Sequence, residues 1–259
     1  MRTCALTIEE QTALEQYRVS FTTEAPTQFT IKIDDLFQKD KLADYLSIVQ
    51  KELQAPSLMS AASAFSKRYS YLVVVPALYA FSSWNKQLNM VGENLSLLSP
   101  ESDEKWLPRL LLKERDASLL ETKEERELAR NQLIETVFAR HLSPLWDNLS
   151  AVTKIPKHIL WENTAIYLYW LYESLLEKEE LSPKVRDNIQ LDYDYILHEA
   201  KAPLFGYFDN ESPFLAYYGE KQKVNGKALR IRKTCCFYYE ISEEKAMCTI
   251  CPKHVANGC

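Results

Sequence analysis

Asn225-Gly226-Lys-Ala-Leu229-Arg-Ile-Arg-Lys-Thr-Cys235-Cys236-Phe-Tyr-Tyr-Glu-Ile241, followed by Cys248-Thr-Ile-Cys251-Pro252, is where the chain changes character. Asn-Gly signals a tight hairpin, because both central residues of the favoured turn need positive φ. The β-branched and aromatic residues after it predict a strand over residues 229–241, and residues 214–218 also read as extended. In a regular strand Cys235 and Cys236 point to opposite faces, so joint ligation of one centre requires a bulge or a strand end at that pair.

Upstream of this stretch the pattern is helical. Thr7 and Glu10 form a Thr-x-x-Glu capping start for a helix to residue 16. Residues 29–33 alternate apolar and polar, as an early strand does. Leu42, Tyr45, Leu46 and Val49 predict a helix over residues 40–53, and two further segments cover 57–67 and 70–87, with Pro76 bending or breaking the second. Residues 92–104 and 113–126 read as loops or exposed helix starts. Helices follow over 124–149, broken near Pro144, over 156–177, and over 182–200, ended by Pro203. The aromatic run Tyr167, Tyr169, Trp170 and Tyr172 reads as core packing. The fold class is therefore α+β and helix-dominated: a helical body over residues 1–225, and a terminal segment over 226–259 made of a small β-hairpin and a cysteine-rich stretch.

Composition narrows the partners. A formal charge of −5, from 36 acidic and 31 basic side chains, gives no general attraction to nucleic acid or anionic lipid. The first ten residues reach acidic side chains too soon for a secretory signal, and the longest apolar run, residues 71–81, is well short of the ~20 a spanning helix needs. The expectation is a cytoplasmic protein with no transmembrane segment. Only Gly92, Gly206, Gly219, Gly226 and Gly258 exist, so neither a dinucleotide fingerprint nor a phosphate-cradling loop can be written.

Five of the six cysteines lie in the last 25 residues. Such a group can be a disulfide staple, a zinc site or an iron–sulfur site. In a reducing compartment clustered thiols more often hold a metal. Cys248-x-x-Cys251 has chelating spacing, whereas Cys235-Cys236 has no spacer, which favours a two-iron cluster over a zinc ribbon without excluding zinc. His254 reads as a surface residue, Cys4 as a lone thiol, and Cys259 as a terminal one.

Arg232-Lys-Thr-Cys235-Cys236 with Cys248-x-x-Cys251-Pro252 resembles the C-terminal signature of the ferric siderophore reductases of the FhuF type. That family has ten residues between its cysteine pairs, and this chain has eleven. Ile159-Leu160-Trp161-Glu162-Asn163-Thr164-Ala165 is similar to the family's Leu-Trp-Gly-Asn segment, with Glu162 in the glycine position. Ser66-Lys-Arg-Tyr-Ser-Tyr-Leu72 fits as well. The resemblance implies a [2Fe-2S] cluster on Cys235, Cys236, Cys248 and Cys251, a ferric siderophore as substrate, and a protein or small molecule as electron donor. Arg232, Lys233 and Asn163 are the expected substrate-binding residues. Arg230, Lys245 and Lys253 read equally as cations around the cluster and as solvated side chains. The alternative is a zinc-stapled, non-enzymatic module that binds a ligand or a protein.

Overall fold

The computed structural model describes residues 2–23, 27–100, 106–206, 212–224 and 226–256. After β1 (Arg2–Ala5), Thr7 caps α1 (Ile8–Gln16): its hydroxyl accepts from the Glu10 amide while the Glu10 carboxylate accepts from Thr7 N at 2.8 Å. This reciprocal box is the one the sequence predicts. A left-handed residue, Arg18 (φ 63°), turns the chain into the short β2 (Val19–Ser20). The expected alternating strand is β3 (Thr27–Lys32), and α2 (Lys39–Glu52) follows with Leu42, Tyr45, Leu46 and Val49 buried.

The next helix, α3 (Leu58–Trp84), starts at Ser57, whose Oγ accepts from Ser60 N at 3.1 Å, and ends at left-handed Asn85. It is one helix and passes through Pro76, where a bend or break was expected. Proline in a helix interior costs ~3 kcal/mol. Leu72, Val73, Val74, Val75 and Leu78 are buried around it, and each buried aliphatic side chain returns ~1.5–3 kcal/mol, so packing outweighs the break. A helix apolar on nearly all sides belongs in the centre. Around it pack α2 and two helices described below.

β4 (Lys86–Leu88), β5 (Leu95–Pro100), β6 (Arg109–Leu112) and β7 (Asp116–Leu119) follow, where loops or exposed helix starts were expected over 92–104 and 113–126 and no strand was foreseen. One sheet has the order β1-β7-β4, all antiparallel; the other is β2-β6-β5-β3, in which only β2 and β6 run parallel. The pairings join distant segments, Cys4 with Ala117 and Val19 with Leu110. Strands this short carry little local signal, and their partners lie outside any sequence window.

α4 (Lys123–Ile134) opens with a second capping box, Thr122 and Glu125. It widens into π-type turns over Glu135–Leu142 before α5 (Ser143–Thr153), so the irregularity lies upstream of Pro144, which occupies the tolerant first turn of α5. Then come α6 (Lys157–Leu176), entered from Pro156, and α7 (Pro183–Asp194), capped by Ser182. α3 packs most extensively on α6 and also on α2 and α7. Polar pairs pin these contacts: Ser70 and Thr164 hydroxyls at 2.9 Å, and Asp192, which takes Ser82 Oγ at 2.7 Å and both terminal nitrogens of Arg126 at 2.8 and 2.6 Å. No helix of the described residues is long and apolar enough to cross a membrane.

His141 lies in the π-type stretch, 3% exposed, with Nε2 2.6 Å from Tyr69 Oη. Burial pulls its pKa down to about 4, against a backbone hydrogen bond with Met90 that works the other way. The folded state therefore holds neutral histidine where the unfolded chain, with a pKa near ~6.5, would be protonated. Its contribution is present above ~6.5 and is lost as pH falls towards 4, a change of about 3 kcal/mol over that window. Urea unfolding as a function of pH should show this acid lability, and His141→Gln should flatten the slope by up to one proton. An unchanged slope would contradict the assignment.

The predicted hairpin is present as β8 (Gln222–Val224) and β9 (Lys227–Leu229), with Gly226 at φ 81°; Asn225 lies outside the described residues. Two expectations are overturned beside it. Residues 214–218 are not extended, because Leu215–Tyr217 makes a 3-10 turn. The strand over 229–241 stops at Leu229, and after an irregular stretch comes α8 (Tyr238–Ile241); α9 (Lys253–Ala256) ends the described chain. The helix-dominated α+β class stands.

Candidate functional site

The reason that 229–241 is not a strand is a carboxylate. Glu162, 2% exposed on α6, accepts from Lys233 N at 2.5 Å and Thr234 N at 2.9 Å, from the Thr234 hydroxyl, and from Arg232 Nη2 at 3.3 Å. The amides that a β-partner would use are taken by one side chain. Arg232 N donates instead to Ile250 O at 3.0 Å, which ties the first cysteine turn to the second.

Past Thr234 the chain turns sharply. Phe237 is left-handed (φ 55°), and its N–H points back to Cys235 Sγ at 3.4 Å. The pair thus sits in an irregular turn and not in a regular strand. Ser63 Oγ on α3 donates to Cys236 O at 2.9 Å. Asn163 Nδ2 in turn reaches Ser63 O, Ser63 Oγ and Ser66 Oγ at 3.1, 3.2 and 2.8 Å, so consecutive residues of α6 hold the cysteine turn by two routes.

Cys236, Cys248 and Cys251 are buried together as a small cluster separate from the main core, with Ile250 against them. Cys235 is half-buried at the rim. Cys236 Sγ and Cys248 Sγ are 3.4 Å apart. The hydrogen bond between them holds Cys236 below the ordinary thiol range, with Arg232 and Lys67 adding attraction, while the same bond and burial push Cys248 up. Cys251 N to Cys248 O at 3.0 Å closes the Cys-x-x-Cys turn, and His254 Nε2 lies 2.9 Å from the same carbonyl, which makes His254 a brace of this turn.

Among the described residues no three His, Cys, Asp or Glu side chains already converge on one point as ligands of a single metal ion. The donor chemistry nonetheless fits a thiophilic cluster: three thiols are buried together, the Cys235 sulfur accepts a backbone N–H, and Arg232 and Lys67 act on Cys236 with positive charge.

Of the expected substrate residues, Asn163 is fully buried between α3 and α6 and has a structural task. Arg232 has a fully buried side chain whose hydrogen bonds go to Glu162 and to Thr234 O at 3.2 Å, so it cannot reach out to capture a ligand, although it borders a cleft. Lys233 is exposed, with Nζ 2.6 Å from Ala216 O. Arg230 serves the body: it pairs with Glu173 at 2.5 Å and covers the Tyr218 ring at 4.0 Å. Lys253 lies over the Tyr239 ring, 4.9 Å from its centroid.

Two clefts flank the sulfurs. One, of about 370 Å³, has Cys248 and Arg232 on its wall with Tyr167, Tyr169, Trp170 and Tyr217. The aromatic run is thus divided: Tyr172 stacks on Tyr193 in the core at 4.9 Å, while Trp170 is 44% exposed and faces this cleft. The other, of about 360 Å³, has Cys236 on its wall with Arg18, Lys67, Arg68, Tyr71 and Tyr167.

The family model described as a ferric iron reductase FhuF-like transporter matches residues 63–214, more than half of the chain. The chain belongs to this family. The FhuF-like match runs over the helical body, from Ser63 through Lys67, Arg68, Glu162 and Asn163, and stops before the cysteines. No curated protein matches. Among solved structures the chain is similar to the aerobactin synthetase IucC from a hypervirulent pathotype of Klebsiella pneumoniae, with a TM-score of 0.49, 15% identity, and 74% of this chain and 36% of that one covered. The ATP-bound aerobactin synthetase IucA from the same pathotype gives 0.47, 15%, 71% and 36%. The chain therefore spans about a third of the length of each.

Sequence reasoning assigned no role to Ser63, Lys67, Arg68, Arg18 or Glu162. Glu162 left a trace as a carboxylate in the position where the resembled segment has glycine, and Lys67 and Arg68 lie in the Ser66–Leu72 stretch that also fits the resemblance.

Proposed function

We propose that this FhuF-like chain is a cytoplasmic ferric siderophore reductase in which Cys235, Cys236, Cys248 and Cys251 hold a [2Fe-2S] cluster. The cluster would supply one-electron transfer. The substrate's ferric ion gains that electron and becomes ferrous; a protein or small-molecule donor loses it, and no proton has to move. Hard oxygen donors hold the ferrous ion less tightly because its charge density is lower, so reduction amounts to release.

The chain's own residues supply position and charge. Glu162 fixes the backbone of residues 233 and 234, Ser63 fixes Cys236 O, and Phe237 N–H serves Cys235 Sγ. Arg232, paired with Glu162, still attracts negative charge at Cys236, and this would favour the reduced state. The observation that carries this reading is the burial of Cys236, Cys248 and Cys251 in one group between two clefts, within a family of ferric iron reductases.

Anaerobically purified protein should be red-brown, contain iron and acid-labile sulfide in equal amounts, give an electron paramagnetic resonance signal on reduction, and reduce a ferric siderophore. Colourless protein with stoichiometric zinc and neither iron nor sulfide would overturn the proposal in favour of a zinc-stapled module.

A further inference from the structure

The two clefts beside the cysteines differ in how their charges are spent. In the aromatic cleft every cation but Lys67 is paired: Arg230 and Lys221 with Glu173 at 2.5 and 2.7 Å, and Arg232 with Glu162 at 3.3 Å. The other cleft is lined by Arg18, Lys67 and Arg68, and no Asp or Glu is among its described lining residues. Arg68 keeps a buried Nη1 with no hydrogen-bond partner, as do Arg230 Nε and Arg232 Nη1 on the aromatic side, but unlike those two it has no carboxylate partner among the described residues. Burial, with Arg18 adding repulsion, lowers its pKa to about 10. In a chain of net charge −5, three cations with no Asp or Glu beside them among the described lining residues are a local reversal of sign. Holding like charges together on a low-dielectric wall is unfavourable unless an anion joins them.

The cleft's volume, about 360 Å³, is of small-ligand size. Tyr71 and Tyr167 give it two half-exposed ring walls, and Cys236 closes one side. Arg68 lies over the Trp106 ring at 5.4 Å and Lys67 over the Tyr238 ring at 5.7 Å, contacts that leave the charges themselves unneutralised; guanidinium forks match carboxylates in a bidentate manner, which a neutral ligand does not.

We infer that the Arg18–Lys67–Arg68 cleft is the substrate site, and that it selects ferric chelates carrying free carboxylates and a net negative charge. This rests on the reductase reading above and names the substrate class of that same site. The chelate's carboxylates face the three cations, and its iron lies on the Cys236 side.

Gallium(III) complexes test this without any electron transfer, because gallium is not reduced. The probes are the gallium complex of a citrate-based dihydroxamate with free carboxylates, and the same complex with those carboxylates converted to amides. Calorimetric titration of the anaerobically purified full chain should show the carboxylate form binding at least about tenfold more tightly, and more weakly as salt rises. Arg18→Gln and Lys67→Gln should each cost that form about tenfold and leave the amide form unchanged, while Lys67→Arg retains affinity. Melting temperatures of the variants show that the fold is intact. Arg18 lines only this cleft, so its variant separates the two sites. Equal binding of the two forms, or loss on Trp170→Ala with no loss on Arg18→Gln, would overturn the inference. Cluster and chelate reduction without carboxylate preference would sink this inference alone; carboxylate-selective binding by a zinc-containing protein would sink the reductase reading alone.

Discussion

Cys251→Ser and Cys235→Ser proteins, purified without oxygen, are expected to carry neither iron nor sulfide and to reduce ferric siderophore only at background rate. Thiolate is the ligand type, and a serine hydroxyl is too hard and too weakly acidic to replace it on a two-iron centre. The far-UV helical signal should remain, because the buried cysteines form a group of their own outside the main apolar core. Cys4→Ser is the control. Cys4 sits in β1 opposite Ala117, in the sheet formed by β1, β7 and β4, and its removal should leave metal content untouched. Iron and sulfide analysis alongside circular dichroism decides the matter, and full reductase activity in either of the first two variants would disprove the ligand assignment.

Glu162→Ala should be the most damaging single change outside the cysteines. It removes four hydrogen-bond acceptor contacts and leaves the fully buried Arg232 side chain without a counter-charge. Stranding one partner of a buried pair costs about 3–5 kcal/mol. Because the contacts all reach residues 232–234, the loss falls first on the terminal segment: limited proteolysis should cut within residues 228–256 before the helical body yields. Glu162→Gln together with Arg232→Met, which removes both charges, should recover part of the stability. A Glu162→Ala protein with unaltered urea midpoint and an equally protected terminal segment would show that the carboxylate is not the anchor.

Much of the body was legible because its signals are local. The Thr7–Glu10 box, the apolar spacing of α2 and the Ser182 start of α7 each lie within a few residues. A break at Pro76 did not occur because the local rule was set against burial that involves the whole core. β5, β6 and β7 were missed since each is defined by a partner from another part of the chain. The same division runs through the site. Four cysteines in a short terminal stretch declare themselves, whereas the roles of Arg18, Ser63, Lys67 and Glu162 depend on neighbours from distant parts of the chain.

The sequence by itself determined the helix-dominated class, the terminal hairpin and the thiols available as ligands, because periodicity, turn chemistry and residue type act over short range. Tertiary structure alone decided that residues 230–237 are held as an irregular turn, since a carboxylate some seventy residues upstream outcompetes any strand for their amides. It also decided which side of the cysteines gathers cations with no acidic residue among the described lining: such grouping depends on distance in space, and neither Arg18 nor Glu173 reveals its neighbours until the chain has folded.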